Sequence, residues 1–158
     1  MTPARIVLGC LLLGATTPAP ADPPAAAPED WTVVATPSDR GCAAKTPPVD
    51  GIMFGLALSS GRALRIMFAG ETWTLPKDLY KVPVRLDDQS AGDVNLFGNG
   101  KALIGLVSPE FKTALMSAGK IGFHFIQKDY SIPVRDLSGV VARLETCIAE
   151  HGTGTPAK

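Results

Sequence analysis

The chain has 158 residues, of which 46% are hydrophobic and 6% aromatic, and its formal net charge is zero. This length and composition fit one globular domain with a core of its own. The equal numbers of basic and acidic residues exclude the strong positive field with which proteins bind nucleic acid or anionic membranes.

Residues 1–21 have the order of a secretory signal peptide. A short basic opening ends at Arg5, an apolar run covers residues 6–15, and residues 19–21 (Ala-Pro-Ala) supply a cleavage site. The apolar run is too short to span a membrane. We therefore expect an exported chain that begins near Asp22 and works in the periplasm or outside the cell.

Cys10 offers an alternative, because Val7-Leu8-Gly9-Cys10 resembles the cleavage box of bacterial lipoproteins. The apolar run continues beyond Cys10, however, whereas a cleavable signal completes this run before the cut. Ordinary cleavage is favoured over a lipidated Cys10 or an uncleaved anchor. The mature chain then keeps Cys42 and Cys147, and two cysteines in an oxidising compartment predict one disulfide. A redox pair is disfavoured, since such pairs are usually C-x-x-C.

Composition divides the rest of the chain. Residues 22–30 are rich in Pro and Ala and predict a disordered leader, and residues 152–158 predict a flexible tail. Residues 31–151 remain as a single domain.

Strand alternation dominates this domain. In residues 80–87, Tyr80, Val82, Val84 and Leu86 share one face, and Pro83 predicts a sheet edge or a bulge. Further strands are predicted at residues 31–35, Ile52–Leu58, 63–68, 102–107, 121–126 and 130–134. Turns are predicted at residues 59–61, 91–93 and Asn99-Gly100, the last as a type I′ hairpin.

Two helices interrupt the strands. The first begins with Ser108 as N-cap and Pro109 in the first turn, and Gly119 ends it. The second runs from about residue 136 or 138 to 150, and Cys147 lies beside its apolar stripe. The predicted fold is mainly β: an antiparallel sandwich or open barrel with one short internal helix, a C-terminal helix and one disulfide between Cys42 and Cys147.

The sequence also contains an internal similarity between two segments. Residues 80–85 (YKVPVR) recur as residues 130–135 (YSIPVR), and G-R-A-L at 61–64 recurs as G-K-A-L at 100–103. Two related β units, the second with an inserted helix, would explain this pattern. Chance similarity between strands is an equal alternative, because strands draw on few residue types.

No complete catalytic or metal-binding motif is present. His124 and His151 lack zinc spacing, and Asn99-Gly100-Lys101 lacks the spacing of a phosphate loop. Asp87, Asp88 and Asp93 could supply the carboxylates of a calcium site or of a glycosidase pair. A solvated turn is the better interpretation of these residues. We predict no catalytic residues, no cofactor and no metal.

Surface recognition is the remaining candidate chemistry. Arg62, Arg65, Arg85 and Arg135 form the candidate interaction surface, since arginine often anchors interfaces. Tryptophan is also common at protein interfaces, but we expect Trp73 to lie in the core.

The order of several landmarks resembles a known family. They are Trp31, Cys42, Trp73-Thr-Leu75, Tyr80 to Asp87, Tyr130-Ser-Ile-Pro-Val134, and a helix that closes with Ala142-Arg-Leu-Glu-Thr-Cys147. This order resembles the invasion-associated locus B family of alphaproteobacterial periplasmic proteins and its small uncharacterised relatives. The resemblance implies a β-rich periplasmic domain with a cysteine bridge and brings no catalytic residues.

These observations predict a non-enzymatic periplasmic protein with a binding role, related to stress or host interaction. Its partner would be another protein or a small ligand of the envelope. An inhibitor or immunity protein that blocks an envelope enzyme or toxin is the alternative. A hydrolase is a third hypothesis, and it requires a cleft that gathers His124 with a carboxylate and a hydroxyl.

Overall fold

The computed structural model describes residues 30–36 and 40–151, in which nine strands form one antiparallel sheet. The strands are β1 (Thr32–Thr36), β2 (Gly41–Lys45), β3 (Ile52–Leu58), β4 (Leu64–Gly70), β5 (Leu79–Leu86), β6 (Gln89–Asn99), β7 (Ala102–Leu106), β8 (Lys120–Phe125) and β9 (Lys128–Pro133). Their order across the sheet is β1-β2-β3-β4-β7-β6-β5-β8-β9. Strands that are consecutive in the chain pair as antiparallel hairpins, except for β4 with β5 and β7 with β8. Instead, β4 pairs with β7, and β5 pairs with β8. This confirms the predicted mainly β, antiparallel class.

The sheet is curled, so that its two halves face each other across the core. The ring centroids of Phe68 on β4 and Phe123 on β8 lie only 4.1 Å apart, although β7, β6 and β5 separate their strands. Four strand spacings in a flat sheet would put them roughly 19 Å apart. Phe54 and Tyr130 extend this row of rings on either side. Within the described residues β1 and β9 do not pair, so the curled sheet stays open.

Two helices complete the domain: α1 (Pro109–Ser117) and α2 (Leu137–His151). Helix α1 begins as predicted, because the Ser108 hydroxyl accepts a hydrogen bond from the Phe111 N–H at 3.2 Å. It ends at Ser117, two residues before the predicted Gly119. Helix α2 packs on β1, β2 and β3 and buries its predicted apolar stripe except for Ile148, which is half-buried.

A disulfide joins Cys42 on β2 to Cys147 on α2, with their Cα atoms 6.2 Å apart. The bond that the sequence predicts is therefore confirmed. The two cysteines are 105 residues apart in sequence. For a loop near this size, the chain-entropy model gives a stabilisation of about 4–5 kcal/mol.

Three hairpin turns depend on positive backbone φ angles. Asp87 and Asp88 join β5 to β6 with φ of 49° and 67°, as a type I′ turn needs. The predicted Asn99-Gly100 hairpin joins β6 to β7, but Asn99 pairs with Ala102, so the loop is Gly100 and Lys101. Gly100, with φ of 66°, is then the first central residue, which fits type II′.

The third of these turns shortens a predicted strand. Residues 121–126 were expected to be extended, yet β8 ends at Phe125. Ile126 and Gln127 form the turn to β9 with φ of 49° and 59°. A β-branched residue rarely adopts this conformation, because its Cβ substituents crowd the backbone. The turn therefore holds a strained residue at an exposed tip.

The interpretation of residues 91–93 as a turn is wrong. These residues lie inside β6, where the register against β5 shifts between Val84 and Arg85 and Gly92 has a φ of 87°. The extra residue makes a β-bulge within a continuous strand. Pro83 lies one residue before the stretch of β5 that pairs with β8, Val84–Leu86, so it borders a local sheet edge, and the bulge of β6 lies opposite the next two residues of β5.

The internal sequence similarity does not correspond to a repeated structural unit. Residues 61–85 contain β4 and β5, whereas residues 100–135 contain β7, α1, β8 and β9. The second segment therefore has an extra strand as well as a helix. The matching hexapeptides lie on β5 and β9, which flank β8. The two hexapeptides have the same strand pattern, in which Val82 and Ile132 are both buried, but they do not belong to two copies of one unit.

Some predictions concern residues outside the described part of the chain. These are the signal peptide at 1–21 with Cys10, nearly all of the leader, and the tail at 152–158. They stay predictions, as does the division into a single domain at 31–151.

Candidate interaction surface

The outer face of the sheet carries a row of apolar residues across five strands, of which four have large side chains. The strand register places Gly55, Met67, Ile104, Phe97 and Leu79 side by side on β3, β4, β7, β6 and β5. Side chains alternate between the two faces of a strand, and the chain neighbours of the first four are buried. The row therefore points away from the core. We call Met67, Ile104, Phe97 and Leu79, together with Leu106 on β7, the outer stripe.

Three of the five residues of the outer stripe are open to solvent, and Met67 and Ile104 are half-buried. Leu79 and Leu106 are each 64% exposed and Phe97 is 47% exposed. Together with Phe111 of α1, they line a groove of about 610 Å³. The outward face of an antiparallel sheet is commonly polar, so a row of large apolar residues there needs an explanation. Contiguous apolar patches on soluble proteins mark places where a partner docks.

Charged side chains border the outer stripe on both sides. Arg65 on β4 lies opposite Leu106 in the register and lines the same groove. Asp93 on β6 lines the groove from the other side, and its carboxylate lies 3.1 Å from the Lys81 ammonium. An apolar centre with a charged rim is the usual composition of a protein interface.

Sequence reasoning missed this surface, although a signal was available. Strand β6 contains Leu96-Phe97 and β7 contains Leu103-Ile104. Because successive side chains point to opposite faces, adjacent large apolar residues in a strand cannot both reach one core. Leu96 and Leu103 are fully buried, and their partners project outward.

The four predicted arginines lie on different elements. Arg62 is in the turn between β3 and β4, Arg65 is on β4, Arg85 is on β5, and Arg135 follows β9. Arg65 borders the outer stripe, whereas Arg85 forms an ion pair elsewhere. Trp73 is buried at 5% exposure, which confirms its place in the core.

A polar cluster occupies the outer face of the other half of the sheet. Arg85 of β5 lies 3.0 Å from the Asp129 carboxylate of β9, and Nδ1 of His124 on β8 lies 3.3 Å from the same oxygen. The Arg85 side chain passes over Gly122, with its Nε 3.5 Å from where a Cβ would be, which is ordinary contact distance. His124 thus has a carboxylate beside it. In the described part of the chain it has no hydroxyl partner, and the cluster is half-exposed, so this geometry does not favour the hydrolase hypothesis.

The acidic residues have structural partners. Oδ1 of Asp87 accepts hydrogen bonds from the N–H groups of Gly119 and Lys120, both at 2.9 Å. Asp88 forms a 2.8 Å ion pair with Lys120. The expected solvated turn is therefore confirmed for this pair, and its carboxylates join the β5–β6 turn to the start of β8. Over residues 30–36 and 40–151, no three His, Cys, Asp or Glu side chains are grouped as metal ligands.

One solved structure defines the class of fold. The crystal structure of invasion associated protein B from Bartonella henselae matches with a TM-score of 0.58 and 11% sequence identity, covering 74% of this chain and 92% of that chain. At this identity the similarity shows the fold alone. The chain is thus a disulfide-linked antiparallel β protein with a fold like that of invasion associated protein B, as its sequence pattern suggested.

Other comparisons add no family assignment. No known protein family matches the chain, and no curated protein matches it. In the part of the chain that the structure describes, neither helix is long and apolar enough to cross a membrane.

Proposed function

We propose that this protein is an exported, non-enzymatic binding protein that acts by contact with another protein, and that the outer stripe is its contact surface. The observation that carries the proposal is the exposure of Leu79 and Phe97 side by side in the row, with exposed Leu106 two residues from Ile104 along β7. Each would lose solvent-exposed apolar area on binding, at a gain of about 25 cal/mol per Å².

The shape of the surface favours a protein partner over a small ligand. The groove takes its lining from four strands, β4 to β7, and the apolar row continues past the groove to Met67, so the apolar surface is wider than a single pocket and suits a protein. Of the four predicted arginines we assign Arg65 to this surface, because it borders the apolar centre. Arginine at such a position can pair with an acidic residue of the partner.

Two observations support export to the periplasm or the exterior. The Cys42–Cys147 bond persists in an oxidising compartment, and the start of the chain has the order of a signal peptide. A fold like that of an invasion-associated protein supports a role in host interaction.

The experiment compares capture by three forms of the protein in the cell that makes it. The wild type, Leu106→Asp and Glu145→Lys would each be expressed from the complete sequence, and crosslinked partners identified by mass spectrometry. We expect the wild type and Glu145→Lys to capture the same proteins and Leu106→Asp to lose them at least tenfold, because a buried carboxylate is costly at an apolar contact. Glu145 is an exposed residue of α2, away from the outer stripe and from the β8–β9 turn. Equal capture by all three forms contradicts the proposal.

A second candidate function is inhibition of an envelope enzyme or toxin. The turn between β8 and β9, residues 126 and 127, favours it because this turn exposes an apolar residue. Ile126 is 60% exposed there despite its strained φ of 49°. A protruding apolar tip can enter an enzyme cleft, and strained backbone concentrates at functional sites. In the same experiment, loss of capture by Ile126→Asp with retention by Leu106→Asp would favour inhibition through the tip.

A further inference from the structure

We infer that the edge of the sheet at β1 pairs with β1 of a second copy of this chain, so that two sheets join edge to edge across a two-fold axis at Val34. This contact goes beyond the proposed function, because no residue of the outer stripe lies on β1. Three features lead to it: the backbone of β1, the order of its side chains, and the charges of α2 beside it.

The two edges of the sheet differ in how they are protected. Within the described residues, β1 pairs with β2 alone and β9 pairs with β8 alone. The β9 edge carries Lys128, Asp129 and Pro133, and lysine and proline are residues with which proteins prevent an edge from pairing. The β1 edge has the sequence Thr-Val-Val-Ala-Thr, with no charge and no proline, and Val34 is 45% exposed. An edge of this kind is a template for another strand.

The hydrogen-bond pattern leaves two residues of β1 directed outward. The Thr46 N–H, just after β2, donates to a carbonyl of β3 at 2.8 Å, so alternate residues of β2 bond to β3 and those between them bond to β1. In the register of β1 on β2, the latter lie opposite the first, third and fifth residues of β1. The N–H and C=O groups of Val33 and Ala35 therefore face away from β2. In agreement, the Trp31 carbonyl, two residues before Val33, accepts a hydrogen bond from the Arg143 guanidinium at 3.2 Å.

The two outward residues are each other's partners when β1 pairs with its own copy. The strand reads Thr-Val-Val-Ala-Thr forwards and Thr-Ala-Val-Val-Thr backwards, so an antiparallel pair centred on Val34 places threonine opposite threonine and valine opposite alanine. Val33 then exchanges a pair of backbone hydrogen bonds with Ala35 of the second copy, and the axis repeats the exchange. The two Val34 residues meet as a non-hydrogen-bonded pair, with Cα atoms about 4.5 Å apart. Such self-complementarity is what a two-fold interface requires.

The helix beside β1 carries charges that match across the same axis. A groove of about 330 Å³ lies between α2 and β1, and Arg143 and Glu150 both line it. Arg143 lies toward the start of β1, because it donates to the Trp31 carbonyl. Glu150 lies toward the other end, one helical turn beyond Cys147, whose disulfide leads to the β2 residue opposite Ala35. The axis exchanges the two ends of β1, so it brings Glu150 of the second copy to Arg143. Complementary charges of this kind set the register of an interface.

The two helices leave room for this contact. Helix α2 packs across β1, β2 and β3 and so lies above β2. Three strand spacings separate β2 from β2 of the second copy, which puts the helices roughly 14 Å apart in a flat join. Packed helices approach to about 8–10 Å, so the curl of the sheet can bring them nearer before they touch. One short strand with flanking ion pairs is near the lower end of specific interfaces, and we expect a dimer that dissociates at micromolar concentration.

Disulfide trapping tests the register of the pair. Val34→Cys places two thiols opposite each other on the axis, at a Cα separation that a disulfide can bridge. We expect this variant, purified after expression from its complete sequence, to become a covalent dimer under mild oxidation. Thr32→Cys is the matched control, because Thr32 is exposed on the same face of β1. The two copies of Thr32 would lie roughly 14 Å apart along the pair, so this variant should crosslink at least tenfold less.

Sedimentation equilibrium between about 1 and 200 µM tests the contact itself. We expect the wild type to show a monomer–dimer equilibrium. Ala35→Pro removes a backbone donor that faces away from β2, so it spares the β1–β2 ladder and should raise the dissociation constant at least tenfold. Glu150→Lys should raise it by a similar factor, because it places like charges together. Glu145→Lys makes the same change on α2 outside the groove and should not differ from the wild type.

Circular dichroism and thermal unfolding establish that each variant is folded. A wild type that is monomeric throughout this range overturns the dimer, and so does equal crosslinking of Val34→Cys and Thr32→Cys. A dimer that is unchanged in both Ala35→Pro and Glu150→Lys would place the contact elsewhere and overturn it as well. A monomer that dimerises only after removal of residues 152–158 would assign the edge to the tail of the same chain, which contradicts a second copy.

Discussion

At the scale of single residues, Asp87 illustrates how one side chain can join distant parts of the sheet. Its carboxylate accepts two backbone hydrogen bonds from the segment that leads into β8, more than thirty residues along the chain. Asp88, beside it, makes one exposed ion pair instead. Exposed pairs contribute little, whereas a backbone donor left without its acceptor is costly.

We expect Asp87→Ala to lower the free energy of unfolding by about 1–2 kcal/mol more than Asp88→Ala does. Both residues have positive φ, at 49° and 67°, so the backbone strain that alanine introduces is closely matched. Chemical denaturation of the two variants measures the difference, which isolates the hydrogen bonds. Equal losses of stability would show that the turn conformation alone matters.

Single residues also show where sequence patterns stop being informative. Cys42 and Cys147 could be paired from the sequence, because the predicted removal of Cys10 would leave only two thiols. Ile126 could not be placed in a turn, since its preference is for strands and only the closure of the β8–β9 hairpin fixes its φ. The candidate arginines were chosen by residue type alone. The outer stripe could not be chosen in that way, because the exposure of Leu79 and Phe97 depends on which face each strand buries.

At the scale of elements, α2 is held against the sheet by its buried stripe and by one covalent bond. Leu137, Val140 and Leu144 are fully buried, and Cys147 ties the last turns of the helix to β2. The guanidinium of Arg143 also donates to the Trp31 carbonyl at 3.2 Å, just before β1. The C-terminal element thus stabilises the N-terminal strands.

Replacing both cysteines by serine should lower the free energy of unfolding by about 2–5 kcal/mol. Hydrogen exchange should rise first in the C-terminal half of α2, because the bond lies there. Denaturation with and without reductant provides the control: the wild type should lose this stability on reduction and the variant should not respond. A variant as stable as the oxidised wild type would contradict a stabilising role for the bond.

Elements with regular alternation were predictable and irregular ones were not. Ile52–Leu58 was placed to the residue, because it is a short, continuous apolar run bounded by turn residues. Strand β2 escaped notice, since Gly41–Lys45 is made of small residues whose burial only the neighbouring strands reveal. In β6 the bulge at Gly92 resembles a turn locally, and only pairing with β5 makes the strand continuous.

At the scale of the whole molecule, the curl of the sheet depends on contacts between strands that are distant in sheet order. Phe68 and Phe123 meet across the core at 4.1 Å. The open antiparallel architecture could be predicted from the number of strands and turns. The crossings from β4 to β7 and from β5 to β8 could not, because they depend on complementary packing between segments far apart in sequence.

A double-mutant cycle tests this closure. Phe68→Leu and Phe123→Leu should show a coupling energy of about 0.5–1.5 kcal/mol, which is typical of aromatic pairs in contact. A second cycle between Phe54 and Phe125, which contact other rings, serves as the control and should be additive within about 0.5 kcal/mol. Additivity in the first cycle would mean that the two halves do not share a core. Urea denaturation of the four proteins in each cycle supplies the energies.

The position of the disulfide has a consequence for how the chain is made. Eight of the nine strands begin at or after Gly41, and the bond joins the first of these to the last helix. A chain emerging from its amino terminus exposes the Cys42 thiol 105 residues before Cys147 follows. The bond can therefore form only after the complete domain has emerged. Any product truncated before Cys147 lacks the partner of Cys42, so oxidation of this pair distinguishes chains that include α2 from shorter ones.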